Sequence, residues 1–129
     1  MFGVTSKKLS KKLNVLYGKD WDMVSGFFYF KNINKQWVCD YIDYPLMFDK
    51  DRIRAYTSSE LLILLPDTIK YDYTDGDLVL YKDTKLSYSC SYCVPGDWYG
   101  SLIHTTSDNP AECMGEMLLA INNNKLITF

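Results

Sequence analysis

The chain has 129 residues, 47% of them hydrophobic and 23% charged, with a formal net charge of -2. That length and balance fit one domain with a sizeable core and exclude global disorder. Fourteen Lys and Arg against 16 Asp and Glu leave no overall basic excess to attract nucleic acid, and little acidity to mimic it.

The chain is rich in aromatics instead, with 11 Tyr, 6 Phe and 3 Trp, residues that fill cores and anchor protein interfaces. No secretory pattern of basic residues followed by an apolar run opens it, and the longest aliphatic run, Leu61 to Leu65, is far too short to span a bilayer. The expected compartment is the cytoplasm, with no membrane partner. The 4 cysteines are accordingly expected to be reduced.

The first predicted element is a helix from Ser6 to Tyr17. Thr5 or Ser6 caps it, Leu9, Leu13, Leu16 and Tyr17 form its apolar stripe, and Gly18 terminates it. Lys7, Lys8, Lys11 and Lys12 gather on the other side as the only concentrated charge. The default for such a cluster is a solvated face, and its functional alternative is a basic patch for nucleic acid or an acidic partner.

Residues from Trp21 to Tyr44 read as a hairpin, with a Phe27 to Phe30 run, a polar Asn32 to Lys35 turn, and a second strand through Trp37, Cys39 and Tyr41. Four consecutive aromatics cannot share one face of a strand, so some must meet a second layer or a partner. Pro45 ends the hairpin, and Leu46 to Tyr56 reads as a crossing loop with at most one helical turn. The charges of Asp49, Asp51, Arg52 and Arg54 there read as solubility.

Thr57-Ser58-Ser59-Glu60 matches a capping box, with Tyr56 and Leu61 placed as its hydrophobic staple, and Pro66 closes the helix that follows. Glu60 is therefore a cap rather than a catalytic acid. Leu61 to Leu65 is apolar all round and predicts near-complete enclosure or a partner.

From Ile69 to Cys93 the pattern is a three-stranded antiparallel meander, with Asp75-Gly76 as its first tight turn. Ser101 to Thr105 reads as a fourth strand after a Pro95 to Gly100 turn that carries Trp98 and Tyr99. The last helix starts at Asn109-Pro110 and buries Ala111, Met114, Met117, Leu118 and Ile121. Gly115 inside it implies a close approach, to the sheet, and Leu126, Ile127 and Phe129 form a docked tail.

Cys90, Cys93, His104 and Cys113 have the donor types of a tetrahedral zinc site, but strand alternation puts Cys90 and Cys93 on opposite faces. The expectation is no metal, no cofactor and small buried thiols. His104 is the sole histidine. A small hydrolase-like enzyme would need it beside Asp97 or Asp108, and no nucleophile elbow surrounds Ser101 or Ser107.

The order helix, hairpin, helix, meander, helix gives a single α+β domain over 1–129, mainly antiparallel sheet with about three short helices. Tyr56 to Leu62, Leu65-Pro66-Asp67-Thr68-Ile69, Leu78 to Tyr81, Asn109 to Glu112 and Met117-Leu118 resemble small uncharacterised proteins of Bacteroides-group gut bacteria and of their phages or mobile elements. The resemblance covers the second half of the chain. It implies a cytoplasmic accessory protein of a mobile element, and supplies no functional residues.

The expected function is a non-catalytic interaction or regulatory protein whose partner is another protein or a second copy. Its surface is expected among exposed members of Phe28, Phe30, Trp37, Trp98 and Tyr99. The alternatives are nucleic-acid binding through Lys7, Lys8, Lys11 and Lys12, and the His104 enzyme.

Overall fold

A computed structural model describes residues 3–21, 26–43, 52–71, 73–84, 87–96, 101–124 and 127–128. Three helices and eight strands follow one another as α1 (Lys7–Trp21), β1 (Gly26–Lys31), β2 (Trp37–Ile42), β3 (Ile53–Arg54), α2 (Ser58–Leu64), β4 (Thr68–Tyr71), β5 (Thr74–Thr84), β6 (Ser87–Cys93), β7 (Ser101–Ser107), α3 (Pro110–Asn123) and β8 (Ile127–Thr128). This is a single α+β domain of antiparallel strands with three helices. The strands form two sheets, β2-β1-β3 and β7-β6-β5-β4-β8.

Helix α1 starts where Ser6 accepts the Leu9 N–H on its hydroxyl, 3.2 Å away. It continues through Gly18 to Trp21, because a glycine inside a helix costs only about 1 kcal/mol and does not by itself end one. Trp21 is thus helical rather than the start of the hairpin. Leu9 and Leu13 are buried on one side, and the four lysines, spaced 7, 8, 11 and 12, occupy the other.

The hairpin pairs Lys31 with Trp37 around a turn in which the Asn32 side-chain oxygen accepts the N–H groups of Asn34 and Gln36, both at 3.0 Å. Lys35 completes the turn at a φ of 60°. Strand β3 is a correction to the expected loop: Ile53 and Arg54 pair with Tyr29 and Phe28. Two residues are too few for alternation to declare a strand. Its free side is closed by Asn14 of α1, whose amide donates to the Arg54 carbonyl at 2.7 Å and accepts the Arg54 N–H at 3.1 Å. One side chain thereby satisfies a backbone edge as a neighbouring strand would.

The capping box of α2 is present in full: Thr57 accepts from Glu60 N, and the Glu60 carboxylate accepts from Thr57 N at 3.0 Å. The expected enclosure of the helix is only one-sided. Leu61 is buried, whereas Leu62 is 47% and Ile63 76% exposed.

In the meander the turn lies elsewhere than Asp75-Gly76. Tyr71 pairs with Thr74, Tyr73 takes a φ of 68°, and Asp75 and Gly76 pair within the ladder against Lys70 and Ile69. The register is set by burying Ile69, and Gly76 serves close packing: a Cβ there would stand 2.7 Å from Leu102 Cδ1. The fourth strand is present and longer than expected, as β7.

Asn109 caps α3 by accepting from Ala111 N at 3.0 Å, with Pro110 in the first turn. Glu112, three residues after the Asn109 cap, accepts the backbone N–H and the hydroxyl of Ser6, 106 residues away, and so caps α1. Gly115 allows a close approach to α1 rather than to the sheet: a Cβ there would lie 2.8 Å from Leu9 Cδ2 and 3.2 Å from Leu13 Cδ1. The core lies between the three helices and the larger sheet, where Leu13, Tyr56, Leu61, Ile69, Tyr92 and Met117 are fully buried. Each such side chain contributes roughly 1.5–3 kcal/mol of burial. Ile127 and Thr128 dock as a strand on β4; Leu126 and Phe129 lie outside the described residues.

Candidate interaction surface

Alternation along β1 places Phe28 and Phe30 on one face of the small sheet and Phe27, Tyr29 and Lys31 on the other. On the first face Phe28 is completely buried, contrary to its expected place on an exposed surface. The reason is its partner in β3. The Arg54 guanidinium lies 5.0 Å from the Phe28 ring centroid, covers Gly26, and is ion-paired to Glu60. Arg54 itself is 1% exposed, so the charge read as surface solubility is part of the core. Phe30 and its neighbour Val38 are half-buried.

The second face carries Trp37, Cys39 and Tyr41 of β2 beside Lys31, Tyr29 and Phe27 of β1. Tyr41 is 51% exposed and meets the Phe27 ring edge-on, with centroids 5.4 Å apart. Tyr29 ties this face to the start of α1 by donating its hydroxyl to the Thr5 carbonyl at 2.8 Å. Burial, reinforced by Cys39 and Glu112 nearby, pushes its phenol up to about 12.

Trp37 is half-buried and holds two ammonium groups. Lys7 Nζ lies 4.4 Å and Lys31 Nζ 5.5 Å from its ring centroid. Two of the sequence candidates, the basic patch and the aromatic set, therefore meet at one point. Lys8 and Lys11 are exposed on the same side of α1, while Lys12 stands near enough to Glu116 to act on its carboxyl electrostatically. Lys31 was not singled out from the sequence. Its role depends on the cross-strand pair with Trp37, which the hairpin turn fixes, and its position beside that turn was the available sign.

Strand β2 ends its sheet, and none of its six residues is buried although Trp37, Val38, Cys39, Tyr41 and Ile42 are apolar or aromatic. Trp98 and Tyr99 lie outside the described residues, as does Asp97.

Of the other candidate constellations the described residues bring together only a part. His104 is exposed and pairs across the ladder with Ser91, while Asp108 lies four residues further along the chain, about 13 Å at the rise of an extended strand. Among the described residues no three His, Cys, Asp or Glu side chains are placed to hold a metal, and of the four zinc-type donors Cys90 and Cys113 are in contact. No helix among the described residues is long and apolar enough to cross a membrane. No protein-family model, curated protein or solved structure matches the chain.

Proposed function

We propose that the chain is a non-catalytic interaction protein that receives an acidic, extended segment of a partner protein along β2. The observation that carries the proposal is Trp37 held by Lys7 and Lys31 on an edge strand with no buried side chain. An extended segment would add through its backbone to the edge of β2, which has no further strand among the described residues, set carboxylates against Lys7 and Lys31, and cover Trp37 and Tyr41 with apolar groups. Electrostatic complementarity of this kind favours fast, selective encounter.

Nucleic acid is the weaker reading. Asp40 and Asp43, both exposed, lie on and just after the same strand and interrupt the positive charge that a continuous phosphate backbone needs, whereas a peptide can confine its carboxylates to the positions beside Lys7 and Lys31. The cytoplasmic accessory role suggested by the sequence resemblance belongs to the same proposal.

The test is binding of a short alternating Glu-Tyr peptide to the full chain, followed by Trp fluorescence at low and high salt. Binding that weakens with salt and falls by about 5-fold or more in Trp37→Ala and in Lys7→Ala/Lys31→Ala is expected, since an aromatic anchor covered by the partner contributes more than about 1 kcal/mol. A single-stranded oligonucleotide that binds more tightly than the peptide would favour the nucleic-acid reading. Concentration-dependent sedimentation abolished by Trp37→Ala would assign the surface to a second copy, and absence of peptide binding at low salt would overturn the proposal.

A further inference from the structure

The second unusual site lies on the far side of the core, where α3 crosses β6. Cys90 and Cys113 come from these two elements, both are buried in the same core cluster, and each acts electrostatically on the other. Thr105 fixes the pair. It stands opposite Cys90 in the β6–β7 ladder, its hydroxyl donates to the Cys113 carbonyl at 2.8 Å, and it lies 3.9 Å from the Cys113 sulfur. The Cys113 S–H in turn lies 3.6 Å from the Thr105 carbonyl oxygen.

Beside the pair is a cavity of about 250 Å³, lined by Leu80, Tyr88, Pro110 and Met114, with Cys113 in its wall. Lys82 at the same cavity sets its ammonium 5.9 Å from the Tyr88 ring centroid. Cys90 is not among the lining residues. The two cysteines therefore differ: one is part of the wall of a space large enough for a small molecule, and the other is not.

We propose that Cys113 and Cys90 are an oxidant-responsive dithiol, in which Cys113 reacts with a small hydroperoxide admitted through the cavity and Cys90 resolves the product into a disulfide joining α3 to β6. The Cys113 thiolate attacks the distal peroxide oxygen, the O–O bond breaks, and the leaving alkoxide or hydroxide takes up a proton, leaving Cys113 as the sulfenic acid. The Cys90 sulfur then attacks the Cys113 sulfur, the S–OH bond breaks, and water leaves with the Cys90 proton. In sum two thiols and one hydroperoxide give one disulfide, one alcohol or water, and one water. The two sulfur atoms are oxidised and the peroxide is reduced.

The protonation preferences agree with this division of roles. Cys90 is driven well above an ordinary thiol by its hydrogen bond to Cys113 and by burial. Cys113 is lowered, chiefly because the Cys90 S–H donates to its sulfur, with a contribution from Thr105 and with burial and Glu116 opposing. Its place in the cavity wall makes Cys113 the attacking group.

The test uses the reduced full chain with hydrogen peroxide, followed by a non-reducing peptide map. A linked Cys90–Cys113 peptide is expected in folded protein and not in protein oxidised in denaturant. In Cys90→Ser the sulfenic acid should persist on Cys113 and be captured by dimedone, at least about 10-fold more than Cys90 is captured in Cys113→Ser. Where a serine in the core impairs folding, Cys90→Ala serves, and the wild-type map needs no variant. A Cys90–Cys93 link in its place, no link at all, or equal labelling of both thiols would overturn the assignment.

Discussion

Truncation of Glu60 should destabilise the fold far more than loss of a helix cap alone, because this carboxylate is also an ion-pair partner of a buried cation. Arg54 is 1% exposed and Glu60 17%, and their ion pair sits against Phe28 and Gly26. Glu60→Ala removes one ion-pair partner of the buried guanidinium, a defect of about 3–5 kcal/mol where a buried pair is broken from one side. Loss of the carboxylate half of the capping box adds to it, as far as about 1 kcal/mol. Against a total stability of roughly 5–15 kcal/mol this is a large fraction.

Thr57→Ala isolates the cap and should cost about 1 kcal/mol. Arg54→Met supplies the contrast: it fills similar volume and leaves a carboxylate that reaches water, so its cost should be less than half that of Glu60→Ala. Urea unfolding followed by far-ultraviolet circular dichroism measures all three. With a slope of about 2 kcal/mol/M, a 4 kcal/mol loss moves the midpoint by about 2 M. A Glu60→Ala cost below about 1 kcal/mol, or an Arg54→Met cost as large as that of Glu60→Ala, would refute the burial argument.

Three further outcomes follow from the same packing. Tyr29 holds its proton up to about 12, above the value of about 10 for an unfolded chain; its contribution to stability is complete below about pH 10 and is lost as pH rises through about 12, so Tyr29→Phe should flatten the alkaline decline seen in urea midpoints. A decline of equal steepness in Tyr29→Phe would assign it to other groups. Asn14→Ala removes two backbone contacts at β3 and should cost about 1–3 kcal/mol by chemical denaturation, whereas Asn34→Ala in the exposed hairpin turn should cost less than about 0.5. Gly26→Ala would drive a methyl into the Arg54 guanidinium, which Glu60 and Phe28 hold in place, and should lower the thermal midpoint by an amount equivalent to about 1–3 kcal/mol; an unchanged midpoint would show that Arg54 has another place to go.

Much of the fold was legible because its determinants are local. The Thr57–Glu60 box closes within three residues, Asn109 reaches only to Ala111, and alternation in β6 and β7 needs only neighbours along the strand. Part of the proposed interaction surface was legible for the same reason: Trp37 in a β-prone run and lysines on one side of a helix are both patterns of spacing.

What the tertiary structure decided are the partnerships between distant residues. A carboxylate at the start of a helix looks the same in sequence whether it serves its own helix or another, and only packing sent Glu112 to Ser6. Asp75-Gly76 has the chemistry of a turn, but burial of Ile69 and the room needed by Leu102 set the register that places the pair inside a ladder. Arg54 reads as a surface charge until Glu60 and Phe28 surround it, and Lys7 meets Trp37 only when α1 lies against the small sheet. Local hydrogen bonds and side-chain periodicity are written in a few consecutive residues, so sequence alone determined the caps at Thr57 and Asn109 and most strands. The energy of burying or pairing a side chain depends on what surrounds it in three dimensions, so the turn, the buried ion pair and the composition of both proposed sites were fixed only on folding.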